Sequence, residues 1–155
     1  MRSAVSKVLK AEFHKRMRKA LPSFEKIGTE FGGVIYRKSN QSRRRNVFVF
    51  LSPSPKYDRF TIELAISSAP NFPFDLLPGE KGAAGGTRLR VRKTALGGGG
   101  WWSLNRSDEP DIVKILAAQA DVESSLSNIG PAVENAILCL CDALESFVGS
   151  ETIDN

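Results

Sequence analysis

Few residues in this chain have the types and spacing that chemistry requires. The segment Gly79-Glu80-Lys81-Gly82-Ala83-Ala84-Gly85-Gly86 has the glycine content of a phosphate cradle. It lacks the GxxxxGK[ST] spacing, and the residues after it alternate like a strand, so no helix N-terminus is placed to hold a phosphate. His14 is the only histidine and sits among lysines, with no nucleophile or carboxylate set beside it by spacing; a solvated surface position is expected. Glu63 is the one acid in the strand Phe60 to Ser67, and a lone carboxylate makes no acid–base pair; its expected fate is solvation or pairing with Arg88, Arg90 or Arg92. Cys139 and Cys141, two apart in an apolar helical run, diverge around the helix and cannot complete a zinc site, so they read as small core residues. No catalytic residue, metal or cofactor is expected.

Two other groups of residues could make contacts rather than reactions. Trp101 and Trp102 follow Gly97 to Gly100, and in extended backbone their rings point to opposite sides. One ring then belongs to the core and the other is available to a partner, unless the C-terminal helices cover both. With Asp111, Asp121 and Glu123 from the acidic segment that follows, they form the expected partner-binding set. The second group is cationic: Lys10, Arg16, Arg43, Arg44, Arg45, Arg88, Arg90 and Arg92, which would suit nucleic-acid phosphates.

The elements that must position these residues are legible in outline. Val5, Val8, Leu9, Phe13, Met17 and Leu21 recur at steps of three and four, predicting a helix from Ser3 to about Ala20, ended by Pro22. Phe31 to Lys38 reads as a first strand. Val47 to Leu51, a continuous run of Val, Phe and Leu, reads as a strand buried on both faces. Phe60, Ile62, Leu64 and Ile66 alternate with Thr61, Glu63, Ala65 and Ser67 as its hairpin partner, across a turn holding Pro53 and Pro55. Ser68 to Ala84 reads as a surface loop turning at Pro78-Gly79. Thr87 to Thr94 reads as an outer strand with Leu89 and Val91 inward and Arg88, Arg90 and Arg92 outward, and Trp101 to Leu104 as a short extended piece. A helix is expected from Asp108 to about Leu126, and a second after a break at Gly130-Pro131. The whole is expected to be one α+β domain over 1–155: a helix at 1–21, a four- or five-stranded antiparallel sheet within 31–104, and two C-terminal helices at 108–148 packed on that sheet.

Composition bounds the setting. With 41% hydrophobic and 25% charged residues the chain has enough apolar content for one core, and no apolar run nears the roughly 20 residues of a membrane span. The basic N-terminal stretch is amphipathic and contains Glu12, so a domain helix is expected there, not a secretory signal. A reducing, cytoplasmic location is the expectation from cysteine usage. Charge is segregated: residues 1–106 carry 21 Lys+Arg against 7 Asp+Glu, residues 107–155 carry 1 against 10. Either the first part offers a basic surface, or the acidic helices lie on it and neutralise it.

A basic N-terminal helix followed by Leu21, Phe24, Gly28, Phe31 and Tyr36-Arg37, the Phe60-Thr61-Ile62-Glu63-Leu64 strand, an arginine-rich strand and Trp101-Trp102-Ser103-Leu104 resembles a bacterial domain-of-unknown-function family of small α+β proteins. The resemblance spans roughly residues 5 to 145 and implies a fold but no active site to carry over. Small stand-alone bacterial domains of this kind are, by analogy, often immunity or antitoxin proteins. The expectation is therefore a non-enzymatic protein that neutralises a partner protein, such as a cognate toxin, by direct binding. The alternative is a nucleic-acid-binding module. No membrane partner is expected, and the oligomeric state is left open.

Overall fold

The computed structural model describes residues 1–40, 44–82, 86–93, 100–104 and 122–153, with side chains through 147 in the last segment. Among them are two helices and six strands: α1 (Ser3–Ala20), β1 (Glu25–Glu30), β2 (Gly33–Asn40), β3 (Arg45–Pro53), β4 (Arg59–Ser67), β5 (Thr87–Arg90), β6 (Trp102–Ser103) and α2 (Val122–Ile153). The fold is α+β, with an N-terminal helix, an antiparallel sheet and a C-terminal helix. None of the described helices is long and apolar enough to cross a membrane.

The sheet runs in the order β1-β2-β3-β4-β5, with every neighbouring pair antiparallel, and β6 pairs the start of β4 beside β5. The hairpin at its centre follows the alternation of the sequence. Val49 lies opposite Leu64 and Leu51 opposite Ile62 on one face, while Phe48 lies opposite Ala65 and Phe50 opposite Glu63 on the other. Val47 to Leu51 are all buried, so the central strand is enclosed on both sides.

One face of the sheet carries the helices. Val5, Leu9, Phe13 and Met17, spaced four apart, form the buried stripe of α1, and they join Val34, Tyr36, Val49, Leu51, Ile62 and Leu64 in one core with α2. Arg18 and Lys19 favour the C-terminal end of the α1 dipole, and Pro22 follows its last backbone bond, Leu21 N–H to Met17 O. The acidic α2 packs beside the basic α1 on this face. The other face is smaller and is covered by a loop: Phe72, with Phe74 beside it, lies on Ile35, Phe48, Phe50 and Ala65.

Several expectations are corrected. The Gly130-Pro131 pair does not break the chain: α2 is continuous from Val122 to Ile153 and holds Pro131 inside it. Proline in a helix interior costs about 3 kcal/mol. Burying Ile129, Val133, Ala136, Ile137, Leu140 and Leu144 on the same stripe outweighs that, at about 1.5–3 kcal/mol for each large side chain. Val122 to Leu126, read as the tail of one helix, thus begins the next; residues 108–121 lie outside the described residues. Strand β1 was missed because Glu-Lys-Ile-Gly-Thr-Glu offers no apolar face, being an exposed edge with a register shift between Lys26 and Gly28. With β1 and β6 the sheet has six strands among the described residues, not four or five.

His14 is also not simply solvated. It is half-buried, its ring stacks on Tyr36 at 5.9 Å, and its Nδ1 shares a 3.0 Å hydrogen bond with the Tyr36 hydroxyl. Tyr36 lies under α1 against Phe13, and burial pushes its phenol up to about 12. The folded chain therefore keeps a proton that the unfolded chain releases near pH 10, so stability is unaffected below that and falls as pH rises toward 12. Denaturant unfolding across this window should show a loss of about 2 kcal/mol in the wild type that Tyr36→Phe lacks. Equal slopes in both proteins would refute the assignment.

Candidate functional site

The register between β4 and β6 decides where the tryptophans go. Phe60 lies opposite Trp102, and Arg59 opposite Ser103. Phe60 belongs to the helix face, so Trp102 is carried there too. Its ring stacks on Phe60 at 5.8 Å, its indole N–H donates to Asn135 Oδ1 at 3.0 Å, and it is 2% exposed. Trp102 therefore supports the fold and is not open to a partner, as the partner-binding set would have required. Trp101 points to the loop-covered face and stays half-exposed.

There it meets Arg90, from the cationic set, and two residues that the sequence did not single out, Arg59 and Tyr57. The Arg59 guanidinium lies 4.4 Å from the centre of the Trp101 ring and 5.1 Å from that of the Tyr57 ring. The Arg90 guanidinium lies 5.4 Å from Trp101. Tyr57, Arg59, Trp101 and Arg90 thus form one cluster of rings and cations. Each contact contributes about 0.5–1 kcal/mol at a partly exposed position, and the larger effect is that long, mobile side chains are held in one arrangement. Gly100 makes room for it, since a Cβ there would come within 2.5 Å of Arg90 Cδ. The signal that could have found this group was the alternation Tyr57-Asp58-Arg59, which puts the two on one side of extended chain; the pairing with Trp101 required the β4–β6 register.

The rest of this face is aromatic and is anchored by an ion pair. Arg88 donates to Glu63 Oε2 from Nη2 at 2.7 Å and from Nε at 3.3 Å, and from Nη1 to the carbonyl of Leu76. Its guanidinium also lies 5.2 Å from Phe72 and 5.7 Å from Phe74. Glu63 is therefore Arg-paired and buried, not solvated, and Arg88 is a structural cation rather than one facing out with Arg90 and Arg92. Changing it to Gln would strand a buried carboxylate, so it does not belong with exposed charges that can be altered freely. Beyond Phe74 the cluster ends at Phe31, which is 76% exposed and sits with Gly32 in a two-residue β1–β2 turn, both residues at positive φ (51° and 74°). Such turns ordinarily use Asn-Gly, so a phenylalanine there is a strained and solvent-facing choice.

The remaining candidates are scattered. Glu123 is exposed in the first turn of α2, while Asp111, Asp121 and Arg43 lie outside the described residues. Lys10 and Arg16 are half-buried on α1, and Arg16 is paired with Glu12 at 3.0 Å. Arg44, exposed at φ 51°, and Arg45 occupy the β2–β3 end, and Arg92 is exposed just past β5. The cations of α1 are thus separated from Arg88 and Arg90 by the sheet itself. In the glycine-rich segment, Gly79 N–H donates to Arg88 O and Gly82 N–H to Gly86 O, so these amides are committed to a hairpin rather than free for a phosphate. Cys139 and Cys141 are unpaired and half-buried, and burial, with Asp142 adding to it, pushes both thiols up. Among the described residues no three His, Cys, Asp or Glu side chains are grouped to hold a metal ion.

Comparison with protein-family models, with curated proteins and with solved structures finds no match.

Proposed function

We propose that this chain is a non-enzymatic binding protein of the immunity or antitoxin type, which neutralises a partner protein in the cytoplasm by covering part of its surface. The observation that carries this reading is Trp101, a half-exposed ring in contact with the guanidinium groups of Arg59 and Arg90 on the side of the sheet away from the helices. Tryptophan, tyrosine and arginine are the residues that dominate binding energy at protein interfaces, and a cluster that is ordered before binding loses little entropy when it binds. The exposed Phe31 continues the same face through Phe74. The nucleic-acid alternative has less support, because its cations are divided between the two sides of the sheet and one of them, Arg88, is consumed by Glu63.

Trp101→Ala should stay folded, losing about 1 kcal/mol or less with the two cation contacts. Its affinity for the partner should fall by about 2 kcal/mol or more. The measurement is affinity purification from the host with wild-type and Trp101→Ala baits, followed by titration of the recovered protein. Co-expression should then relieve the growth defect caused by that protein, with the wild type effective and the variant not. A partner bound equally by both baits would remove Trp101 from the interface, and a nucleic acid as the recovered partner would replace the reading altogether.

A further inference from the structure

We propose that the outer face of the two helices docks a second copy of this chain, with the basic α1 of each copy lying on the acidic α2 of the other. This goes beyond the reading above and uses the side of the sheet opposite Trp101. On α1, the inward stripe of Val5, Leu9, Phe13 and Met17 leaves Ala4, Val8, Ala11 and Lys15 exposed on the far side, with Lys7, Arg18 and Lys19 exposed beside them. On α2, the stripe from Ile129 to Leu144 leaves Pro131, Glu134, Leu138, Asp142 and Glu145 exposed. Each helix thus shows solvent a large apolar side chain, Val8 at 44% exposure and Leu138 at 62%, set among charges of one sign.

Those charges are not met within the chain. From Val122 to Ile153 there is no lysine, arginine or histidine, and Glu12 is the one acid of α1. The helices pack side by side, yet no ion pair joins them among the described residues. Arg16 pairs with Glu12 on its own helix, and the exposed cations of α1 and acids of α2 have no ion pair among those residues. The complement of a basic stripe beside an acidic one is an acidic stripe beside a basic one, and this chain itself presents it.

The placement of the helices lets the match close on itself. Arg2, just ahead of α1, and Ser125, near the start of α2, both bond the Asp58 carboxylate, so the two helices set out from one point. A two-fold axis leaving that point between them lays each α1 over the other copy's α2, in the same direction and at the same level. Equal steps from Arg2 and Ser125 then bring residues of opposite copies together. Val8 meets Pro131, Lys15 meets Leu138 with Glu134 and Asp142 a turn to either side, and Lys19 meets Asp142. An axis across the helices would instead set α1 on α1 and α2 on α2, like charge on like. With 18 residues in α1, the shared face measures roughly 27 by 20 Å, about 1,000 Å² over two copies, which suits a weak, reversible dimer.

The test is sedimentation velocity of the full chain over a concentration series. The wild type should show a monomer–dimer equilibrium with a Kd of about 10 µM, weakened several-fold by added salt. Reversing α1 (Lys15→Glu with Lys19→Glu) or α2 (Glu134→Lys with Asp142→Lys) should each weaken self-association about ten-fold or more while leaving the melting temperature near that of the wild type, since all four side chains are exposed. Mixing the two reversed proteins is the discriminating step. Both junctions of the mixed dimer again join opposite charges, so it should form although neither parent associates, an outcome that misfolding of either variant cannot produce. Leu138→Ser should weaken the dimer, and Trp101→Ala should leave it unchanged. A chain that stays monomeric at about 1 mM overturns the proposal. So does a dimer indifferent to both reversals, or one that the mixture fails to restore. None of these results touches the Trp101 interface, which the affinity purification tests separately.

Discussion

Replacing Asp58 by Ala is expected to lower folding stability by about 3 kcal/mol, a large effect for one residue in a turn. Asp58 lies in the β3–β4 connection and is fully buried. Its carboxylate accepts from the Arg2 guanidinium ahead of α1 and from the Ser125 hydroxyl of α2 at 2.8 Å, while its backbone carbonyl accepts from Leu104 N–H at 2.9 Å. Removing it leaves the buried Ser125 hydroxyl unbonded and takes away the partner of Arg2. The cost stays at the low end of the 3–5 kcal/mol range for a broken buried pair because the Arg2 side chain is 32% exposed and can recover some hydration. Asp58→Asn keeps the shape and the bond to Ser125 and should cost about half as much. Urea unfolding of the three proteins measures this. A loss under about 1 kcal/mol for Asp58→Ala would show that the turn does not tie the two helices to the sheet.

Phe48→Ala should cost about 3–5 kcal/mol, the usual range for emptying a buried phenylalanine site. Phe48 is on β3, has no exposed surface, and meets the Phe72 ring at 5.9 Å, edge to face. Phe72 comes from the loop after β4 and also touches Phe50, with centroids 5.4 Å apart. Part of the loss should therefore be shared: in a double-mutant cycle Phe48→Ala and Phe72→Ala should couple by about 0.5–1.5 kcal/mol. Thermal and denaturant unfolding would check both numbers. Strict additivity would mean that the loop only rests on the sheet, and a small loss for Phe48→Ala would mean that the loop is open in solution.

These two residues mark what could and could not be read from the chain. Phe48 was legible because β3 and β4 are the part of the sequence where composition and period agree: a continuous apolar run beside a strict alternation. The α1 stripe was legible for the same reason. Asp58 was not, because a buried carboxylate in a proline-containing turn looks like any polar loop residue until Arg2 and Ser125 arrive from far along the chain. The failures at Pro131 and at β1 share a cause. Local propensity was overridden at Pro131 by the burial of the α2 stripe, and β1 is held by backbone pairing to β2, which leaves no mark in side-chain hydrophobicity. At the candidate site, opposite orientations for Trp101 and Trp102 followed from extended backbone alone. Arg59 and Tyr57 did not, because the contact depends on which residue of β4 faces which residue of β6.

The order of elements also bears on how the chain is made. Among themselves, strands β1 to β5 pair only with neighbours in sequence, so each of these hairpins can close soon after its second strand is synthesised. The helix face has no such economy. It needs α1, made early, and α2, made late, and roughly 100 residues separate Ala20 from Val122, or about 5–20 s of translation. During that interval Ile62, Leu64 and the stripe of α1 lack the cover that α2 supplies. A nascent chain stalled before Val122 therefore displays an apolar surface of the kind that chaperones bind, and α2 is the element whose emergence ends that exposure.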